Sequence, residues 1–275
     1  MTSFIPFIKK TILSAGDLIL KHADKHYKIE EKAKNDFVTE IDKKAEKLII
    51  KEINSTFKSH AILGEESSFG EKDNFDRLNN AQYIWLIDPI DGTNNFIRGI
   101  DFYCVSVAVF KTAEVKKSKN FQYLKGELVA GAVYAPKLKR LYYAEKGKGA
   151  YLNDKKIQVS KIKSLEKSVL ATGFHGKYKM INLDYFKEII QNSQGIRRMG
   201  SAALDLCHIA EGKIEGYWEF GLHPWDIAAG ILIVKEAGGR ITDTNGNLID
   251  LFGKDILATN GKIHTQITSM FSKIN

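Results

Sequence analysis

Trp85-Leu-Ile-Asp-Pro-Ile-Asp-Gly-Thr-Asn-Asn95 is the stretch from which the rest of the chain can be read. An apolar run, Tyr83–Ile87, stops abruptly at Asp88, Pro89, Ile90, Asp91, Gly92 and Thr93. Pro89 cannot donate to a strand ladder, and Gly92 tolerates a sharp turn. The pattern predicts a strand ending at Ile87, with two carboxylates three residues apart at its carboxyl end. Open α/β sheets bind their ligands at that end. Residues 92–95 could then open a helix whose free N–H groups face an anion. A plain turn is the competing reading: aspartates make Asx turns, and Thr93 can cap a helix.

Two other segments carry acid to the ends of elements. Gly64-Glu65-Glu66-Ser67 follows a short apolar run, Ala61–Leu63, and Asp226 opens an apolar helix after His223-Pro224-Trp225. Each has an ordinary explanation, loop solvation for Glu65 and Glu66 and a favourable helix N-terminal charge for Asp226. Together, Glu65, Asp88, Asp91 and Asp226 make an oxygen-rich set suited to a hard cation.

Further out, the chain reads as two halves. Ile5, Ile8, Ile12, Ala15 and Ile19 recur at helical spacing, and a second helix begins near Thr39 with Ile41, Ala45, Leu48 and Ile49 on one side. Strand-like runs follow at Tyr103–Phe110, Leu128–Tyr134 and Arg140–Ala144. After Gly147–Gly149, short apolar runs (Ser168–Ala171, Glu215–Trp218, Ile256–Ala258) alternate with helical ones (Leu183–Gln191, Ala202–Glu211, Trp225–Ala237), an α/β layer. A soft boundary near Tyr151–Ser160 separates an N-terminal α+β half, residues 1–150, from a C-terminal α/β half, residues 151–275, with no Pro/Gly/Ser linker between them.

Composition excludes several classes. With 4 Pro among 275 residues the chain is not Pro-rich, and with 2 Cys it is no disulfide scaffold, which points to a reducing, cytoplasmic setting. No apolar run is long enough to span a bilayer. A net charge of +8 reads first as the mark of a lysine-rich proteome, with attraction of an anionic substrate as the alternative, and the basic stretch Lys111–Lys125 reads first as a long hairpin loop. Nucleic-acid binding is the minor alternative, because aromatic residues are sparse there.

The ordered motifs resemble the inositol monophosphatase family of magnesium-dependent, lithium-sensitive phosphatases. They are Asp36-Phe-Val-Thr-Glu-Ile-Asp42, Gly64-Glu-Glu-Ser67, Trp85 through Phe96, Gly147-Lys-Gly-Ala150 with Asn153, Trp225-Asp-Ile-Ala-Ala-Gly230, and Glu236-Ala-Gly-Gly239. The resemblance implies a layered αβαβα sandwich of the sugar-phosphatase type, usually a homodimer. It implies one Mg²⁺ held by Glu65, Asp88 and the Ile90 carbonyl, a second held by Asp88, Asp91 and Asp226, and a weaker third beside Glu65. Glu65, Asp42 and Thr93 take the catalytic roles, with Asp42 and Thr93 at the attacking water. The substrate would meet Ile90, Asp91, Gly92, Thr93, Gly200, Ser201, Ala202, Glu219 and Asp226.

This chemistry suits these residue types. A phosphate monoester needs an in-line water and neutralised oxygens more than covalent help, and paired cations provide both. Asp42 also reads as the last member of a capping box, Thr39-x-x-Asp42, which is compatible with a role at the water. His223 is expected as a packed histidine, Cys104 and Cys207 as inert buried thiols, and Trp218 and Trp225 as packing around the site mouth. Arg197 and Arg198 could reach phosphate or sugar oxygens, or pair at a surface.

Asn94-Asn95-Phe96 is close to the Thr-Asn-Phe of inositol monophosphatases, and Glu219 suits a polyol hydroxyl, so myo-inositol 1-phosphate is the expected substrate. Fructose 1,6-bisphosphate and nucleoside 3′(2′),5′-bisphosphates are the alternatives within the family. Pro224, where many relatives carry Cys, and the long Lys111–Lys125 stretch depart from the pattern. A regulatory protein that binds RNA or the transcription machinery is the rival from another class.

Overall fold

The computed structural model describes residues 3–23, 25–33, 36–67, 78, 80–113, 125–253 and 255–274. The element order is α1 (Ile5–Ala23), β1 (Ile29–Ala33), β2 (Asp36–Thr39), α2 (Glu40–Thr56), β3 (Ala61–Gly64), β4 (Tyr83–Asp91), α3 (Thr93–Ile97), β5 (Cys104–Thr112), β6 (Gly126–Ala135), β7 (Arg140–Glu145), β8 (Ala150–Leu152) and β9 (Lys155–Ile157). Next come β10 (Val169–Thr172), α4 (Lys179–Asn192), β11 (Gly195–Arg197), α5 (Ala202–Ala210), β12 (Gly216–Phe220), α6 (Pro224–Glu236), β13 (Arg240–Thr242), β14 (Asp255–Thr259) and α7 (His264–Phe271). Residues 114–124 of the basic stretch lie outside the described residues, while the strands on either side of it pair as far as Thr112 opposite Gly126.

Two sheets carry the fold, a seven-stranded one in the order β3 to β9 and a five-stranded one in the order β11-β10-β12-β14-β13. The isoleucine stripe of α1 and the Ile41, Ile49 and Ile53 face of α2 bury against Trp85, Val105 and Val107 on one side of the larger sheet. α5 and α6 fill the space between the sheets with Leu204, Leu206, Ile231 and Ile233. α6 is apolar nearly all round, as a helix covered on both sides must be. α4 and α7 close the far side through Tyr185, Ile189 and Phe271, against Trp218 and Leu257. The expected αβαβα layering is present.

Three local expectations differ. β4 continues to Asp91 instead of stopping at Ile87. Opposite β5, Asp88 faces Ser106 and Asp91 faces Cys104, so three residues span two and the register slips. Pro89 lacks the N–H that regular pairing would need, and a bulge absorbs it. Trp218 lies fully buried in the outer core, its indole N–H on Asn182 Oδ1 at 2.5 Å, and not at the site mouth. His223 is exposed and stacks on Trp225 with ring centroids 4.7 Å apart; it sits at a rim and not in a core.

Candidate active site

The bulge in β4 decides the geometry. In a regular strand residues three apart face opposite sides. The extra residue at Pro89–Ile90 reverses that, so Asp88 and Asp91 line the same cleft, of about 180 Å³. β3 runs parallel to β4 with Gly64 opposite Ile87, and the Glu65 N–H donates to the Ile87 carbonyl at 3.0 Å, which sets Glu65 beside Asp88. Asp226 arrives from the first turn of α6, where its carboxylate accepts the His223 N–H at 2.7 Å. Glu65, Asp88, Ile90, Asp91, Gly92, Thr93, Gly200, Ser201, Ala202, Glu219 and Asp226 all line this cleft. Asp42 adjoins it from α2.

Asp42 is fully buried and has two tasks. Its Oδ2 accepts the Thr39 N–H at 2.9 Å and the Thr39 hydroxyl at 2.5 Å, closing the expected capping box. Its Oδ1 lies 3.2 Å from the Thr93 hydroxyl, which also reaches the Ile90 carbonyl at 2.9 Å. Burial pushes the Asp42 carboxyl up to about 6, against the lowering effect of the Thr39 hydrogen bonds. Asp91 is held by the Ser201 hydroxyl at 2.6 Å and the Ala203 N–H at 2.7 Å. Burial carries it to about 6 as well, with those two donors opposing and the Glu65 charge adding to the rise.

Asp88 and Asp226 lie well above the ordinary carboxylate range, through burial first and then the charges of their neighbours Glu65 and Asp91. Glu219 is pushed to about 7 by burial, although the Tyr217 hydroxyl bonds it.

The residues of the cleft fit a hard cation. Every donor is an oxygen, and Asp88 Oδ1 is buried with no hydrogen-bond partner among the described residues. A buried carboxyl among like charges is satisfied either by holding a proton or by a cation. Among the described residues no three carboxylate, imidazole or thiol groups are already gathered as a cage. Like charges in a buried site keep apart, and Glu65 is engaged elsewhere: the Lys32 ammonium on β1 lies 2.8 Å from both Glu65 and Glu66. Burial works against the charge on Lys32, but the two carboxylates outweigh it and raise its proton affinity.

Several contributors have no signature in the sequence. Glu46 accepts the N–H groups of Glu66 and Ser67 at 2.8 Å each and so shapes the loop that bears Glu65. The Asn95 amide bridges the Phe102 and Met199 carbonyls at 2.7 and 2.8 Å, tying α3 to the loop before α5. Gly173, His175, Asp205 and Leu222 also line the cleft. Arg198 lines the same cleft, exposed, while the exposed Arg197 donates to its neighbour's carbonyl at 3.2 Å. Cys104 and Cys207 are both buried free thiols, as expected.

The profile of the inositol monophosphatase family matches residues 1–275. The chain belongs to the inositol monophosphatase family. It is 38% identical over 273 residues to the inositol-1-monophosphatase of Synechocystis sp., covering 98% of this chain and 88% of that protein. It is equally 38% identical over 256 residues to the Nus factor SuhB of Pseudomonas aeruginosa, covering 90% of this chain and 88% of that one. The crystal structure of the extragenic suppressor protein SuhB from Bartonella henselae superposes with a TM-score of 0.85 at 34% identity, covering 98% of this chain and 99% of that one. Membership makes a phosphatase the supported activity of this family chain. Relatives of equal identity bear different names, so identity alone does not select the substrate. Among the described residues no helix is long and apolar enough to cross a membrane.

Proposed function

We propose that this chain is a Mg²⁺-dependent phosphate monoester hydrolase that acts on a polyol monophosphate, myo-inositol 1-phosphate first. The observation that carries the reading is the meeting of Glu65, Asp88, Asp91 and Asp226, from three separated segments, in the cleft that also holds Thr93 and Glu219. Glu65, Asp88, the Ile90 carbonyl, Asp91 and Asp226 would hold Mg²⁺, two or three ions in all, which supplies charge neutralisation and acidifies water.

The rest falls to the chain. Thr93 holds the attacking water on its hydroxyl and relays a proton to Asp42 Oδ1, with which it is already hydrogen-bonded. A base with a proton affinity near 6 is ionised at neutral pH yet still basic enough to accept that proton. The N–H groups of Gly92 and Thr93 receive a phosphate oxygen. Gly200, Ser201 and Ala202 line the side where the alcohol lies, with Glu219, Asp91 and Asp226 as acceptors for its hydroxyls.

A phosphate-release screen with Mg²⁺ tests this. It compares myo-inositol 1-phosphate, fructose 1,6-bisphosphate and 3′-phosphoadenosine 5′-phosphate, each with an excess of chelator as control. Chelator-sensitive release from the inositol ester is the expected result, with inhibition by lithium. Release only from the nucleotide overturns the substrate and leaves the chemistry; release from none overturns both.

The name of the Pseudomonas relative and the +8 charge support a second reading, an RNA or transcription-machinery contact on the surface. RNA retardation that survives physiological salt supports it, and loss of all binding there removes it. The family resemblance also implies a cytoplasmic homodimer. Mass measured by light scattering tests the dimer.

A further inference from the structure

The cleft is also lined by a carboxyl that the hydrolysis just described does not use. Asp205 sits on the first turns of α5, 2% exposed, lines the cleft, and has an Oδ1 with no hydrogen-bond partner among the described residues. A buried carboxyl that only favoured the helix dipole would gain as much from facing water, without the cost of desolvation. Its surroundings point to a ligand.

Ala202 lines the cleft three residues earlier on the same helix face, so the side chain beside Asp205 on that face is a small one. The Glu219 carboxylate is close enough that its charge, after burial, raises Asp205 further, whereas Arg198 acts on both carboxyls in the opposite sense. Glu219 itself is locked. Tyr217 donates to its Oε2, and a Cβ at Gly173 would stand 2.0 Å from that oxygen, so only glycine lets the carboxylate lie where it does. The result is a fixed acceptor with a second carboxyl near it, both lining the cleft.

We propose that Asp205 is a second hydroxyl-reading group, set near Glu219 to select phosphate esters whose alcohol half carries at least two further hydroxyls. The assignment rests on the phosphatase reading above. A polyol supplies the partner that Oδ1 lacks, and an ester without hydroxyls leaves it orphaned. A site built to bond a hydroxyl rejects the analogue that lacks it.

The test compares kcat/KM for myo-inositol 1-phosphate with that for 4-nitrophenyl phosphate, both with Mg²⁺, in the unaltered protein and in Asp205→Leu and Asp205→Asn. The ratio of the two values is the readout. Asp205→Leu lowers it by about tenfold or more, mainly through the KM of the inositol ester. Asp205→Asn, isosteric and still an acceptor through its amide oxygen, gives an intermediate ratio, and it stands alone as the test if the leucine variant does not fold. A ratio unchanged in the asparagine variant, or both substrates falling in step, overturns the assignment and spares the phosphatase reading. No phosphate from either ester with the unaltered protein overturns both.

Discussion

Asp42 shows how one residue carries a structural and a chemical duty at once. Thr39-x-x-Asp42 is legible as a capping box, and the box is present. The contact with Thr93, 51 positions away, follows from the fold and has no trace in local sequence. The two duties separate in Asp42→Asn. The amide oxygen can still accept from Thr39, so α2 keeps its cap, but it cannot take the proton that Thr93 relays. We expect kcat to fall by about a hundredfold with little change in melting temperature. A fall below about tenfold, roughly 1.4 kcal/mol of barrier, would make Asp42 mainly structural. The residues that sequence reading missed share a physical character. Glu46 and Lys32 work through partners distant in the chain, and as isolated letters each is an ordinary charged residue on a helix or strand.

Among the elements, long and periodic ones were legible and short ones were not. α1 and α2 follow from their apolar spacing, and α6 from its continuous apolar run. β1 reads Ile-Glu-Glu-Lys-Ala and β9 reads Lys-Lys-Ile, segments without the alternation that marks a strand, so pairing alone reveals them. The β4 bulge was half legible: Pro89 announced an interruption, while resumption at Asp91 depended on β5. The turn after it makes an element-level prediction. Gly92 has φ +94°, and a Cβ there would lie 3.0 Å from the Phe102 carbonyl and 3.2 Å from that of Gly200. Gly99 also has positive φ, at +68°, but faces open space. Gly92→Ala should cost on the order of 1–3 kcal/mol, read as a lower melting temperature, and should cut kcat/KM by more than tenfold because the loops holding phosphate and alcohol are forced apart. Gly99→Ala bears only the backbone strain and should change kcat/KM much less. Equal kinetic losses would show that the close approach of the two loops is unimportant.

At the scale of the molecule, the layered architecture followed from the family resemblance, and the gathering of Glu65, Asp88, Asp91 and Asp226 from their places at element ends, whereas the depth of their burial had no trace in the sequence. That burial carries a pH signature. Glu66 and Glu219 are pushed to about 7, and Asp42 and Asp91 to about 6, chiefly by burial. The folded chain therefore holds protons that the unfolded chain releases, and stability is lost as pH rises through these values. Below pH 6.5 the buried His264, pushed down to about 4 by burial, acts in the opposite sense because only the unfolded chain takes its proton. The window is thus about pH 8 to 6.5. In excess chelator the melting temperature should rise by about 2–6 °C on acidification across it, and Mg²⁺ should stabilise more at the alkaline end, where it does not compete with protons. A flat or inverted response would mean that the acidic groups are not strained by their mutual burial. The most direct measurement is anomalous diffraction from crystals grown with Mn²⁺ in place of Mg²⁺. The account predicts density bonded to Asp88 and shared with Glu65, Asp91 and Asp226, with Glu65 released from Lys32. Strong peaks elsewhere on the chain, with these four carboxylates unligated, would contradict it.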